Sequence, residues 1–162
     1  MKRFFSIIIM LLSIVFSSNA QWRINHVKGD ELKGTKDHYM NSFTAKNDDA
    51  IIIQSDNSNI AFIALYSDNG VFDISLNDDI DVIIGFYENG KLTKKTQTKF
   101  HSSMNYLDYA ILHGNYDENK IGKQIISHIR YKGDVRIIAS KFHDSDFDVR
   151  MTKNPNIRVS SN

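Results

Sequence analysis

The chain has 162 residues, a formal net charge of +1, 41% hydrophobic and 11% aromatic residues, and no cysteine. This length and apolar content suit one domain with its own core, and they exclude a disordered or collagen-like chain. The lack of cysteine excludes disulfide frameworks, cysteine zinc sites and cysteine nucleophiles.

The N-terminus, over residues 1–20, has the pattern of a cleaved secretory signal peptide. Lys2 and Arg3 precede an apolar run, and Ser18 and Ala20 supply the small residues that a cleavage site requires. The apolar run is shorter than the about 20 residues that span a membrane. We therefore predict cleavage after Ala20, a periplasmic or secreted location, and no transmembrane anchor after cleavage.

The charge balance after cleavage bears on the partners of the chain. Cleavage removes two of the 20 basic residues and leaves the 19 acidic residues in place, so the exported chain is nearly neutral. Such a chain has no overall positive electrostatic field that would attract nucleic acid. Export separates it from cytosolic nucleotides, and it contains no glycine-rich nucleotide loop. We therefore expect no nucleic-acid partner and no cofactor.

The first half of the exported chain predicts strands separated by Asn, Asp and Gly turns. Alternating or β-branched runs predict strands over 22–27, 39–45 and 51–53. Residues 60–66 are apolar on both alternating faces, which is typical of a central strand. The turn Asp68-Asn69-Gly70 predicts a hairpin that leads into 71–74.

A second Asn-Gly turn predicts the clearest hairpin in the sequence. Asn89-Gly90 suits the positive φ angles of a two-residue turn, and it joins strands predicted over 80–88 and 91–100. The return strand is rich in lysine and threonine. Charged side chains deter pairing with other chains, so this composition predicts an edge strand.

Isoleucines at three- and four-residue spacing predict one helix in the C-terminal third. Asp117 is a candidate cap, and Lys132-Gly133 provides the end. Strands are predicted over 135–140 and 147–151, and residues 152–162 are predicted to be a polar flexible tail.

Together these elements predict a mainly β fold with a single β-rich domain over 21–151. We expect an antiparallel β-sandwich or small open barrel, with the one α-helix packed on the sheet. The layout resembles that of small exported β-domains of the invasion-associated locus B and VasI types. The shared features are Trp22 directly after the signal peptide, the Asn89-Gly90 hairpin, and an isoleucine-rich helix that runs into Val135-Arg136-Ile137. Those proteins have no assigned enzymatic activity, and the resemblance rests on no sequence motif, so it assigns no family.

An acidic triple near the C-terminus is a candidate metal site. In an extended strand its carboxylates lie on one face and can ligate a hard cation such as Ca²⁺. A solvated strand face is the alternative. The three residues are Asp144, Asp146 and Asp148.

Two other features are candidate binding sites. Lys91, Lys95 and Lys99 are predicted to share one face of the return strand, where they would meet an acidic protein or a polysaccharide. Edge protection is the alternative explanation for these lysines. Trp22 is a candidate binding residue if exposed, and otherwise closes one end of the core.

The chain contains no nucleophile elbow and no His-Glu-x-x-His zinc motif, so an enzyme is not favoured. The leading hypothesis is an exported non-enzymatic β-domain that binds a protein or glycan partner outside the cytoplasm. One alternative is a periplasmic inhibitor or immunity-type protein that inserts the Asn89-Gly90 hairpin into its partner. The other is a small glycan or cell-wall hydrolase, in which several acidic and histidine side chains would converge. Its candidate residues are His113, His143, Asp144, Asp146 and Asp148.

Overall fold

A computed structural model describes residues 20–30, 32, 34, 36–56, 59–67, 72, 79–103, 106–113, 116–139 and 146–158. Almost all of the predicted signal peptide lies outside these residues. The predicted hairpin at 68–74 also lies outside them, except for Phe72, whose side chain is buried.

The described residues form a mainly β, antiparallel fold with one helix in the C-terminal third, which confirms the predicted class. The elements are β1 (Gln21–Val27), β2 (His38–Thr44), β3 (Ala50–Asp56), β4 (Asn59–Tyr66), β5 (Asp79–Glu88), β6 (Lys91–Ser103), β7 (Tyr106–His113), α1 (Tyr116–Tyr131), β8 (Val135–Ala139) and β9 (Phe147–Met151). Across these parts of the chain, no helix has the length and apolar character needed to cross a membrane.

The strands form two antiparallel sheets joined through one strand. The hydrogen-bonded order is β1-β2-β3-β4-β7-β6-β5-β8-β9. Strand β7 pairs along β4, but it meets only the end of β6, at His101–Ser103. The first sheet is therefore β1 to β4, and the second is β6, β5, β8 and β9.

Strand β4 is central, as predicted. It lies between β3 and β7, and its side chains are buried on both faces: Ile63 and Leu65 are 0% exposed and Ala64 is 2% exposed. A strand that pairs on both sides and is covered on both faces is apolar throughout.

One hydrophobic core joins the two sheets. Phe43, Ile51 and Leu65 of the first sheet belong to the same buried cluster as residues of β5, β8 and β9. The helix contributes Ile125 and Ile129, both 0% exposed. The two sheets thus face each other across a shared interior with the helix packed on it, in agreement with the predicted sandwich.

The Asn89-Gly90 turn forms as predicted, with φ angles of 50° and 79°. The alternation of the return strand changes just after it. Phe86 lies opposite Lys94 and Tyr87 lies opposite Leu92, so one extra residue is inserted in β6. This β-bulge places Lys91 and Leu92 on the faces opposite to those that uninterrupted alternation would give them.

Helix α1 ends at Tyr131, just before the predicted stop. The amides of Lys132 and Gly133 donate hydrogen bonds to the His128 carbonyl, at 2.8 and 3.0 Å. The φ angle of Gly133 is not positive, so left-handed backbone does not explain the glycine. A Cβ atom at this position would lie 2.0 Å from the Tyr87 carbonyl oxygen. Glycine is required because the backbone of β5 passes against it.

The segment after β9 differs from the predicted flexible tail. Residues 152–158 pack on the domain, and Ile157 is 0% exposed in the core. The Asn154 amide donates to the Ile129 carbonyl of α1 at 3.0 Å. The local sequence is polar, but one isoleucine and its backbone hydrogen bonds anchor the segment. Residues 159–162 lie outside the described residues.

Candidate functional site

An open groove of about 710 Å³ lies between the β5–β6 hairpin and helix α1. The hairpin supplies an aromatic base and one side, and the helix supplies the other side. The lining residues are Phe86, Glu88, Thr93, Lys94, Lys120, Lys123, Gln124, Ser127, His128 and Lys132.

The base of the groove joins hairpin to helix. Phe86 and His128 are nearly buried and contact each other edge to face, with ring centroids 5.1 Å apart. The His128 Nε2–H donates to the Tyr87 carbonyl at 2.9 Å. Because Tyr87 follows the bulge, this hydrogen bond satisfies a carbonyl where the β ladder is irregular.

The β-bulge directs Thr93 and Lys94 into the groove. Thr93 Oγ1 donates to the Phe86 carbonyl at 3.1 Å. Lys94 Nζ donates to Gln124 Oε1 at 2.8 Å and lies 5.4 Å from the centroid of the Phe86 ring. The lysine thus lies across the groove from hairpin to helix, with its charged end exposed to solvent.

Positive charge predominates among the described lining residues. Lys94, Lys120, Lys123 and Lys132 provide four ammonium groups, whereas Glu88 provides the one carboxylate. Lys132 Nζ lies 3.7 Å from Glu88 Oε1, and both side chains are well exposed, so this pair is weak. The surplus of positive charge suits a carboxylate, phosphate or sulfate ligand.

The bulge separates the three predicted binding lysines. Lys91 lies opposite Glu88, on the groove face, whereas Lys95 and Lys99 lie on the outer face. The prediction that the three share a face is therefore wrong, because one inserted residue shifts the alternation. Their role in binding stays a prediction.

Each outer-face lysine has a defined neighbour. Lys99 Nζ lies 3.6 Å from Asp81 Oδ1, across the β5–β6 ladder. Lys95 lines a shallow depression of about 230 Å³, whose other lining residues include Tyr87 and Arg136. This depression is mostly apolar and carries less positive charge than the groove.

Strand β6 is an edge along most of its length, although it is not terminal in the strand order. Its last three residues pair with β7, and residues 91–101 pair with β5. Within the described residues, 91–100 have no second strand partner. The predicted edge character therefore applies to the lysine-bearing part of β6.

Trp22 packs against the domain core. Its ring meets Phe43 edge to face, with centroids 5.1 Å apart, and its Nε1–H donates to the Thr152 carbonyl at 2.9 Å. The side chain is partly buried. A binding role for Trp22 stays a prediction, and in this arrangement its one polar group is already bonded.

The structure describes two members of the acidic triple, and Asp144 lies outside the described residues together with His143. Asp146 is exposed, and the Asp148 carboxylate accepts hydrogen bonds from the Arg136 Nε, at 2.7 Å, and from a terminal guanidinium nitrogen. Hydrogen bonds with Asp148 and Tyr87 raise the pKa of Arg136.

This ion pair occupies the carboxylate that a cation would need. In the portion of the chain that the structure describes, no three His, Asp or Glu side chains lie close enough to hold a metal. Because Asp144 is outside that portion, the metal site stays a prediction.

Sequence reasoning missed the lysines that α1 contributes to the groove. Lys120, Lys123, Gln124 and Ser127 recur at the spacing of one helical face. That face lies away from the buried isoleucines, and it indicates a polar surface of the helix. The sequence does not show that this surface lies beside the β5–β6 hairpin.

The fold and groove together define a small antiparallel β domain with a cationic groove. No protein-family model, curated protein or solved structure matches the chain.

Proposed function

We propose that the chain is an exported, non-enzymatic module that binds an acidic partner, protein or glycan, outside the cytoplasm. The observation that carries this proposal is the groove of about 710 Å³ between the β5–β6 hairpin and α1. Four lysines line it against one glutamate, although the chain as a whole is close to neutral. Charge concentrated at one concave site favours recognition of an anion over general solubility.

The groups in the groove favour binding over hydrolysis. A glycan hydrolase of the common type uses two carboxyl groups that flank the scissile bond. Among the described lining residues, Glu88 is the one carboxyl group, and it pairs with Lys132. The Nε2 of His128 is bonded to a backbone carbonyl. These groups position the hairpin and the helix.

Charge-removing variants test the binding site. We expect Lys94→Gln, Lys120→Gln and Lys123→Gln each to weaken binding of a sulfated oligosaccharide and of polyglutamate severalfold, because each removes one exposed cation from the groove. Lys46→Gln is the matched control, since it removes an exposed cation that does not line the groove. Isothermal titration calorimetry at two salt concentrations measures the effect, which salt should diminish.

Equal loss of affinity in the control and groove variants would mean a nonspecific charge effect, and unchanged affinity in all of them would reject the groove. Export is tested separately. N-terminal sequencing of the chain recovered from the cell envelope or medium should begin at Gln21, and recovery of the uncleaved chain from the cytoplasm would reject export.

A further inference from the structure

The lysine-bearing edge of β6 is long for an exposed edge. Residues 91–100 pair with β5 on one side and, within the described residues, with no strand on the other. At about 3.3 Å per residue this edge extends for about 33 Å. Natural proteins usually keep exposed edges short or bend them, because an open row of amides and carbonyls accepts another strand.

The bulge interrupts only the first part of this edge. The inserted residue is Thr93, so Lys94 to Phe100 form a regular stretch opposite Ile80 to Phe86. Most side chains along this stretch are exposed, and Phe100 is buried. This stretch is long enough to pair with a segment of six or seven residues.

The charges around the edge select the kind of strand. Lys94 lies on the groove face, and Lys95 and Lys99 lie on the outer face, so a strand added there meets cations on both sides. Edge protection accounts for lysines on β6 itself. It does not account for Lys120 and Lys123, which belong to α1 and add positive charge to the same groove.

We propose that an extended acidic polypeptide segment of a partner protein adds to the free side of β6 between Lys94 and Phe100. Backbone hydrogen bonds to β6 provide the pairing, and carboxylates on alternate residues approach the lysines of the groove face and the outer face. This inference rests on the proposed function, because it identifies the acidic partner as a polypeptide and gives it a conformation.

The first test compares three ligands on the purified chain. The peptide is a decamer of alternating glutamate and valine, and its control is the same peptide with N-methylated backbone amides, which keeps the charge but cannot donate to a ladder. A sulfated oligosaccharide carries charge without any peptide backbone. We expect the unmodified peptide to bind at least tenfold more tightly than the N-methylated one.

The two proposals fail in different ways. Equal affinity of the two peptides would overturn strand addition and leave the acidic-partner proposal standing. Lack of binding by all three ligands would overturn both. Binding of the oligosaccharide alone would support a glycan partner and overturn strand addition.

Amide hydrogen exchange locates the pairing. Successive strand residues direct their amides to opposite sides, so every second amide between Lys94 and Phe100 faces the free side. We expect these amides to exchange quickly in the free chain and to become protected when the peptide binds. Protection already present in the free chain, or no protection on binding, would overturn the inference.

Adjacent prolines provide a matched pair of variants. In Thr96→Pro and Gln97→Pro, one substitution removes an amide that bonds β5 and the other removes an amide that faces the free side. The variant that keeps its hydrogen bond to β5 should have the higher thermal midpoint. We expect that variant to bind the peptide at least tenfold more weakly and to bind the oligosaccharide with unchanged affinity. Unchanged peptide affinity in that variant would count against the inference, and the N-methylated peptide tests it without altering the fold.

Discussion

The indole N–H of Trp22 donates to the carbonyl oxygen of Thr152, at 2.9 Å, and joins residues 130 positions apart. Trp22 lies on β1, the first strand of the hydrogen-bonded order, and Thr152 follows β9, the last. The two ends of the strand order therefore meet through a side chain, and among the described residues no ladder joins them. Asn41 makes a second such link, from β2 to the backbone of Arg158.

Loss of the Trp22 hydrogen bond should weaken the link between the two ends of the strand order and leave the packing of the aromatic ring in place. Trp22→Phe keeps an aromatic ring against Phe43 and loses the N–H, and we expect it to lower the free energy of unfolding by about 1 kcal/mol. Trp22→Ala loses the packing as well and should cost at least twice as much. Urea unfolding followed by circular dichroism measures both. A Trp22→Phe variant as stable as the native chain would contradict this role.

The Asn41 link should be more costly to remove. Asn41 is 0% exposed, its Nδ2 donates to the Arg158 carbonyl at 2.7 Å, and its Oδ1 accepts from the Arg158 amide at 3.1 Å. Asn41→Ala breaks both bonds and should cost about 2 kcal/mol of unfolding free energy. Asn25→Ala, which alters an exposed residue of the neighbouring strand, is the control and should cost less than half as much. Equal losses in chemical denaturation would show that the link contributes nothing.

The contact between Gly133 and β5 predicts that this position does not tolerate a larger residue. A Cβ at Gly133 would lie 2.0 Å from the Tyr87 carbonyl oxygen, so Gly133→Ala must displace the β5 backbone and disturb the bond from His128. We expect a loss of at least about 2 kcal/mol. At Gly85 an added Cβ would lie 3.1 Å from Leu92 Cδ1 and 3.1 Å from Tyr87 Cε2. Both are side-chain atoms, which can move more easily than backbone, so Gly85→Ala should cost less. Thermal unfolding ranks the two, and the reverse order would contradict the contact.

The Asp37 carboxylate should titrate below its ordinary range. It accepts hydrogen bonds from the Gly29 amide at 2.7 Å and from His26 at 3.0 Å, and these contacts lower its pKa, with the Gly29 bond as the largest cause. Because the pKa of Asp37 is lower in the folded chain than in the unfolded chain, the contacts of its carboxylate stabilise the fold. This stabilisation is fully present above the unfolded pKa of about 3.9, and it is lost as the pH falls through the folded pKa.

Nuclear magnetic resonance titration of the Asp37 carboxyl measures this directly. We expect a midpoint below 3.8 in the native chain. The variant His26→Gln should raise the midpoint but keep it below 3.8, because the Gly29 bond remains. A native midpoint at or above 3.8 would show that the carboxylate does not hold these contacts.

The sequence by itself determined the elements whose causes are local. The Asn89-Gly90 turn depends on two positive φ angles, which these two residues adopt readily. Helix α1 follows from the three- and four-residue spacing of its isoleucines, and the central position of β4 follows from a run that is apolar on both faces. The predicted signal peptide is also a local pattern, and it stays a prediction.

The tertiary structure alone decided the strand order, the bulge in β6, and the position of α1 beside the hairpin. It also decided the packing of residues 152–158, where Ile157 enters a core made by distant strands. Each of these depends on contacts between residues far apart in the chain, and local propensity carries no information about which distant surface a segment meets. The groove followed from such contacts, since its lysines come from β6 and α1 and become one site only when the hairpin and helix pack together.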